Sequence, residues 1–381
     1  MMMNETQRTV TRGVSAPKSP AKPPVVNKVE VTNKAVLELS RQHRKLTWQR
    51  IGIVSGLCAV AIAAFVTSNF VGAIDISPGE VITGILNPSS LDEQTHTVLW
   101  RLRLPMAVMA LLIGVSLSLA GAEMQTILNN PLAEPFTLGI SAAAAFGGAS
   151  AIVLRWQIVT QPQLNLALVA WLSSVVATGI IVIAAVLRGV RAETMVLLGI
   201  GLVFFFQAML ALIQYRSSAE ALQQIVFWSM GSLTRASWTG NAVLAGVLVI
   251  ALPVLWALSW QLTALRLGDA RAAAMGVNTS ALRVIVLVVV SLVAATTVAF
   301  AGIIGFIGLV GPHIARMLVG EDQRYFVPAS MAAGAAVMCT AHALSLIVKP
   351  GLAIPIGIVT SLLGVPFFIA IVMAKRRALW S

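Results

Sequence analysis

The chain has 381 residues, of which 58% are hydrophobic and only 10% charged, and its mean hydropathy is +0.88. A water-soluble domain carries about 25% charged residues, so an ordinary globular fold is excluded and the apolar excess needs a lipid solvent. Of the 26 basic and 14 acidic residues, 10 and 3 lie in positions 1–50, so the formal charge of +12 belongs mostly to a tail and nucleic acid is not a partner.

Residues 1–50 come first. The segment Ser15–Asn27, SAPKSPAKPPVVN, cannot bury enough surface to order its backbone. The tail as a whole, 1–50, is therefore expected to be a disordered basic extension. About 50 polar residues before the first apolar run do not fit a secretory signal. Arg41, Arg44, Lys45 and Arg50 directly precede that run, which by the positive-inside rule keeps the N-terminus cytoplasmic.

A spanning helix needs about 20 mostly apolar residues. Eight runs qualify: 51–72, 104–122, 136–154, 164–187, 194–213, 240–260, 326–348 and 353–374. The apolar stretch 284–319 is too long for one crossing. Gly302, Gly305, Gly308, Gly311 and Pro312 permit a reversal near Gly302, giving two more crossings, 284–302 and 303–319. An even count also puts Lys375, Arg376 and Arg377 on the same side as the basic tail. The domain organisation is then the tail 1–50, a ten-helix transmembrane domain 51–377, and a short end 378–381. Beyond the tail, ten basic residues fall inside, including Arg188, Arg266, Arg283 and Arg316. Six fall outside: Arg101, Arg103, Arg155, Arg216, Arg235 and Lys349.

The longest internal cytoplasmic segment is 261–283, QLTALRLGDARAAAMGVNTSALR, which composition alone allows to be either a docking surface or a solvated connector. Three segments break helical regularity: Asn129–Pro135, Gly302–Pro312 and Pro350–Gly357. Backbone freed at membrane depth must be satisfied by protein or water, so these are either pathway linings or helix ends.

Cys58 and Cys339 lie in apolar runs and read as packing residues. The absence of a Gly-Lys pair removes the phosphate-cradling loop, so ATP chemistry belongs to another chain. His43, His96, His313 and His342 are scattered without paired carboxylates, which leaves neither a catalytic set nor a metal site. Glu123, near the inner end of the second crossing, is the residue on which an ion-coupled secondary transporter would depend; the alternative is that it reaches water or an arginine.

Several long runs, in order, resemble one family. They are LRLPMAVMALLIGVSLSLAGAEMQTILNNPLAEPFTLGIS (Leu102–Ser141), FWSMGSL (Phe227–Leu233), LRLGDARAAAMGV (Leu265–Val277), GFIGLVGPHIARMLVGEDQR (Gly305–Arg324) and IPIGIVTSLLGVPFF (Ile354–Phe368). The chain resembles the permease subunits of type II ATP-binding cassette (ABC) importers for ferric siderophores, haem and cobalamin. The resemblance implies an all-α polytopic membrane protein with ten helices and cytoplasmic termini, in a bacterial inner membrane. It also implies a pair of ATP-binding subunits, which hold ATP and magnesium, a second permease subunit that is a paralogue or a second copy, and an extracytoplasmic substrate-binding protein. No cofactor is expected in this chain, and its implied function is translocation of a ferric siderophore, with haem or cobalamin as alternatives.

Residue roles follow from the same resemblance. Leu267, Gly268, Asp269, Met275 and Gly276 match the coupling helices that seat in the ATPase, and Asn130 and Leu132 match the cytoplasmic gate. Arg103 matches an arginine that pairs with a glutamate of the binding protein, with Arg101 and Lys349 near enough to assist. Met106 and Leu346 stand where the family has further such arginines, His342 where an aspartate is common, and Ala353 where a glutamate is usual. These departures fit a heterodimer in which a paralogue supplies the missing groups.

Overall fold

A computed structural model describes residues 28–379 apart from 73, 75, 190 and 349–352. It is helical in every long element. In chain order these are α1 (Lys28–Phe70), α2 (Pro78–Leu86), α3 (Glu93–Thr97), α4 (Leu104–Ile127), α5 (Ile140–Leu154), α6 (Pro162–Arg188), α7 (Ala192–Tyr215) and α8 (Ala219–Ser229). There follow α9 (Trp238–Ala257), α10 (Ser259–Leu265), α11 (Asp269–Ala274), α12 (Thr279–Ala301), α13 (Ile307–Val319), α14 (Gln323–Ile347) and α15 (Ile356–Leu379). The chain divides into two compact units, Met1–Trp48 and Gln49–Ser381. In the first unit α1 begins at Lys28, so residues 28–48 are helical rather than disordered. Good helix formers in AVLELSRQHRKL explain this, because the prolines that oppose a helix end at Pro24. Ser15–Asn27 lies outside the described residues.

Seven helices are long and apolar enough to cross a membrane, and three shorter apolar ones, Ile140–Leu154, Ile307–Val319 and Ile356–Ala370, accompany them among the described residues. These ten coincide with the runs read from the sequence. At a rise of 1.5 Å per residue, the 13 residues of α13 reach only about 20 Å, short of a bilayer core of about 30 Å. The stretch 284–319 does divide, but not by a tight turn. Helix α12 ends at Ala301, Gly302 adopts φ 78°, and residues 302–306 are irregular before α13. A side chain at Gly302 would meet the Trp228 carbonyl oxygen.

Helices α4, α12 and α14 form the centre, and α13 packs on α4 and α14. In the most apolar stretch of the α3–α4 segment 72% of residues are buried, against 11% in that of α1 and in that of α7. Where α4 meets α14, Gly114 lies against Gly334, and such small residues let backbones approach where lipid offers no hydrophobic drive. Cys339 is buried in this centre, whereas Cys58 is exposed on α1, so the packing role holds for Cys339 alone. The sequence reading missed α2, α3 and α8, short elements that lie between the crossings.

Candidate functional site

The two ends of α4 and α12 carry different sets of polar residues. At one end, α10 and α11 run across the ends of the long helices. Gly268, at φ 97°, turns the chain from α10 into α11, and Gly276, at φ 85°, turns it out again. This conformation is costly for any residue with a Cβ. Ala272 and Val277 point inward, while Leu267 is 55% and Met275 43% exposed. Ala270, Ala273 and Ala274 are exposed beside them together with Arg271, so the outward face is mostly small and apolar and carries one cation.

Asp269 has a different role from its neighbours. The buried Arg283 of α12 donates from Nη1 and Nη2 to the Asp269 carboxylate oxygens, both at 2.7 Å, and from Nε to the Ile127 carbonyl at 2.8 Å. One guanidinium therefore ties α11 to α12 and to the end of α4. Its hydrogen bonds hold the Asp269 carboxyl below the usual carboxylate range. The sequence reading singled out Asp269 but missed Arg283, because the two are 14 positions apart with a turn between them.

A second group of charges lies alongside. Arg266 reaches Glu321 at 2.8 Å, and Arg316 lies 3.1 Å from the same carboxylate. Arg316 also donates to Gln125 Oε1 at 2.6 Å, and Gln323 Nε2 donates to Thr126 Oγ1 at 2.8 Å. Glu123 is buried within electrostatic range of Arg266, but among the described residues it forms no ion pair and its Oε2 has no hydrogen-bond partner. Burial lowers the Arg266 pKa, with Glu321 and then Glu123 opposing the shift. The run GEDQR gave the only sequence signal for this group, and its partners lie up to 197 positions away.

The segment after α4 is a polar turn. Asn129 adopts φ 46°, the Asn130 amide donates to the Gln125 carbonyl at 3.1 Å, and the Leu132 amide donates to Asn130 Oδ1 at 3.0 Å. Proline between them cannot donate, so the asparagine side chain closes the turn. Leu132 is left 46% exposed. A cavity of about 500 Å³ lies between this turn and α7, lined by Leu128, Asn130, Glu193 and Leu197.

At the opposite end, a correction is needed. Arg103, expected to present its charge to a binding protein, is 5% exposed. It donates to the Asn69 carbonyl at 3.0 Å and to the Ile74 carbonyl, closing the connection after α1. The π-helical turn Val98–Arg103 aims it inward while leaving Arg101 exposed. Lys349 lies outside the described residues.

Three of the sequence runs meet near this end. The Ser232 amide donates to the Ala301 carbonyl at 2.8 Å, and the Ile356 and Gly357 amides donate to the Gly231 and Met230 carbonyls, each at 3.1 Å. FWSMGSL, the Gly302 break and the start of α15 thus form one backbone-bonded knot. His342, buried in α14, has no hydrogen-bond partner for either ring nitrogen among the described residues.

The comparisons with known proteins agree with a helical membrane fold: the FecCD transport family matches residues 60–374. The chain belongs to the FecCD transport family. It is 31% identical over 334 residues to the iron(3+)-hydroxamate import system permease protein of Bacillus subtilis, covering 86% of this chain and 84% of that one. It is 32% identical over 323 residues to the hemin transport system permease protein of Yersinia pestis, covering 84% of this chain and 95% of that one. A solved structure described as an inward-facing conformation of a metal-chelate type ABC transporter aligns with a TM-score of 0.75 at 30% identity, covering 85% of this chain and 99% of that one. The chain is thus a FecCD permease, a transport component with the ABC importer permease fold.

Proposed function

We propose that this permease is the membrane subunit of an ATP-driven importer that moves a ferric siderophore across a bacterial inner membrane. The observation that carries the reading is α11, a short helix set between two positive-φ glycines, mostly small and apolar on its outer side apart from Arg271, and clamped from beneath by Arg283. A rigid apolar knob of this kind suits a cleft in a partner, and the ion pairs behind it pass its displacement to α4, α12 and α14. The residues beside it fit the division of labour. Leu267, Gly268, Met275 and Gly276 form the contact, Asp269 positions it, and Asn130 with the exposed Leu132 closes the inner end of the pathway. Arg101 takes the outer docking role in place of Arg103.

The hydroxamate relative supports a siderophore as cargo, while the hemin relative makes haem the next candidate. ATP and magnesium belong to the partner ATPase pair. Iron arrives enclosed in its chelator, so this chain needs no iron ligands of its own. The experiment is purification in mild detergent with the ATPase and binding protein encoded alongside. Leu267→Asp together with Met275→Asp should abolish ATPase capture and ATP-driven chelate uptake while the unfolding midpoint stays unchanged. Accumulation of chelate by the chain alone, in sealed vesicles lacking any ATPase, would refute the proposal in favour of an ion-coupled carrier.

A further inference from the structure

The knot between FWSMGSL and α15 borders a cavity of about 730 Å³, within the range of about 300–1,000 Å³ typical of small-molecule sites. Its walls come from α5, α6, α8, the loop after α8 and the segment Ala353–Pro355 just before α15, at the end of the molecule opposite α11. Most of the lining is apolar or neutral, including Phe227 and Trp228. Gln223, Gln224, Ser232 and Thr234 supply neutral hydrogen-bonding groups, and Arg235 is the one charged residue.

Among the described residues no ion pair neutralises Arg235. Its Nε and Nη2 atoms are buried and meet no hydrogen-bond acceptor among the described residues. By contrast, Arg283 has Asp269 as acceptor, Arg266 and Arg316 share Glu321, and Arg103 has two carbonyls. Guanidinium does not shed its proton in a protein, so the charge persists despite burial. Arg235 is half-buried, and desolvating a charge without a partner is costly, a cost that a ligand carrying the counter-charge would offset. The local backbone holds the group in place, because the Ser232 amide is bonded to α12 and Ser232 Oγ lies 2.8 Å from Thr234 Oγ1.

We propose that this cavity is a substrate subsite for an anionic chelate, in which the planar fork of Arg235 binds a carboxylate while Gln223, Gln224 and Thr234 meet further oxygens. The inference rests on the importer reading and narrows its cargo, from ferric chelates in general to those with carboxylates free of the metal. A carboxylate of a docked binding protein is the other source of the same chemistry. The buried nitrogens favour the chelate, since a rim contact would present its charge as the exposed Arg101 does.

The full-length chain in lipid nanodiscs would be titrated calorimetrically with ferric dicitrate, which is anionic, and with a neutral ferric trihydroxamate. Saturable dicitrate binding is expected, weakened ten-fold or more by Arg235→Gln and less by Arg235→Lys, while the variants leave any trihydroxamate binding unchanged. Because the guanidinium lacks an internal partner, Arg235→Gln should leave the unfolding midpoint unchanged or raise it. Absence of saturable dicitrate binding, equal binding by the Gln variant, or a marked fall in its midpoint would each overturn the proposal. So would weakened capture of the binding protein with dicitrate affinity unchanged. ATPase capture by the Leu267 and Met275 face is measured separately. Capture without dicitrate binding sinks only the subsite, whereas dicitrate binding without capture sinks only the importer reading.

Discussion

Asp269→Ala tests whether the coupling segment is held from inside the permease. The substitution removes two charge-assisted hydrogen bonds of 2.7 Å from a guanidinium whose side chain is 3% exposed. Fully buried, such a loss would cost about 3–5 kcal/mol. The Asp269 side chain is 57% exposed, so water recovers part of the loss and the net cost is about 2 kcal/mol. That corresponds to about a 30-fold rise in the population of an undocked α11. Hydrogen exchange reads this directly at the amides of Met275, Gly276 and Val277, which close the turn after α11. Their protection should fall by about that factor while amides in α4 and α12 keep theirs, and uptake should fall at constant membrane level. Asp269→Arg with Gly268→Glu should be worse, since it sets a cation against Arg283. The carboxyl is held low, so this support is complete at neutral pH and is lost only below about pH 4 as Asp269 protonates. Unchanged exchange in Asp269→Ala would refute the anchoring argument, and lost uptake with unchanged exchange would place Asp269 in direct contact with the ATPase.

Burial raises the Glu134 carboxyl, in the turn between α4 and α5, to about 7. A raised acid binds its proton more tightly in the folded state, so its contribution is complete below about pH 4.5 and is lost as pH rises through 7. Glu134→Gln should remove that slope and, above pH 7, exceed the parent by up to about 3 kcal/mol; unfolding midpoints at pH 5 and pH 8 measure it, and parallel shifts in both proteins would contradict it. Arg103→Ala should cost about 2–3 kcal/mol of stability, because two backbone carbonyls lose a charged donor. Arg101→Glu should instead slow binding-protein association without changing stability, and the converse pattern would restore Arg103 to the docking surface.

The sequence by itself determined the solvent, the helices and the family. Twenty-residue apolar runs are legible because a bilayer excludes any backbone that does not satisfy its own hydrogen bonds. The break at Gly302 was legible because 36 apolar residues cannot make one crossing. Leu267 and Met275 were found by likeness to a known run, and the structure places both on one exposed face.

What each charge does was decided only in three dimensions. Arg101 and Arg103 are two positions apart in the same run, yet one is exposed and the other fastens the chain after α1. Asp269 reads as a contact residue until Arg283 is seen beneath it, and Arg235 reads as an ordinary outer arginine until the described lining of its cavity is seen to hold no acid. A charged residue's role depends on which acceptors lie within about 3 Å of it, and in this fold those acceptors include segments 14 to 191 positions away. Sequence periodicity records the face a residue occupies, but it carries no information about which distant backbone that face will meet.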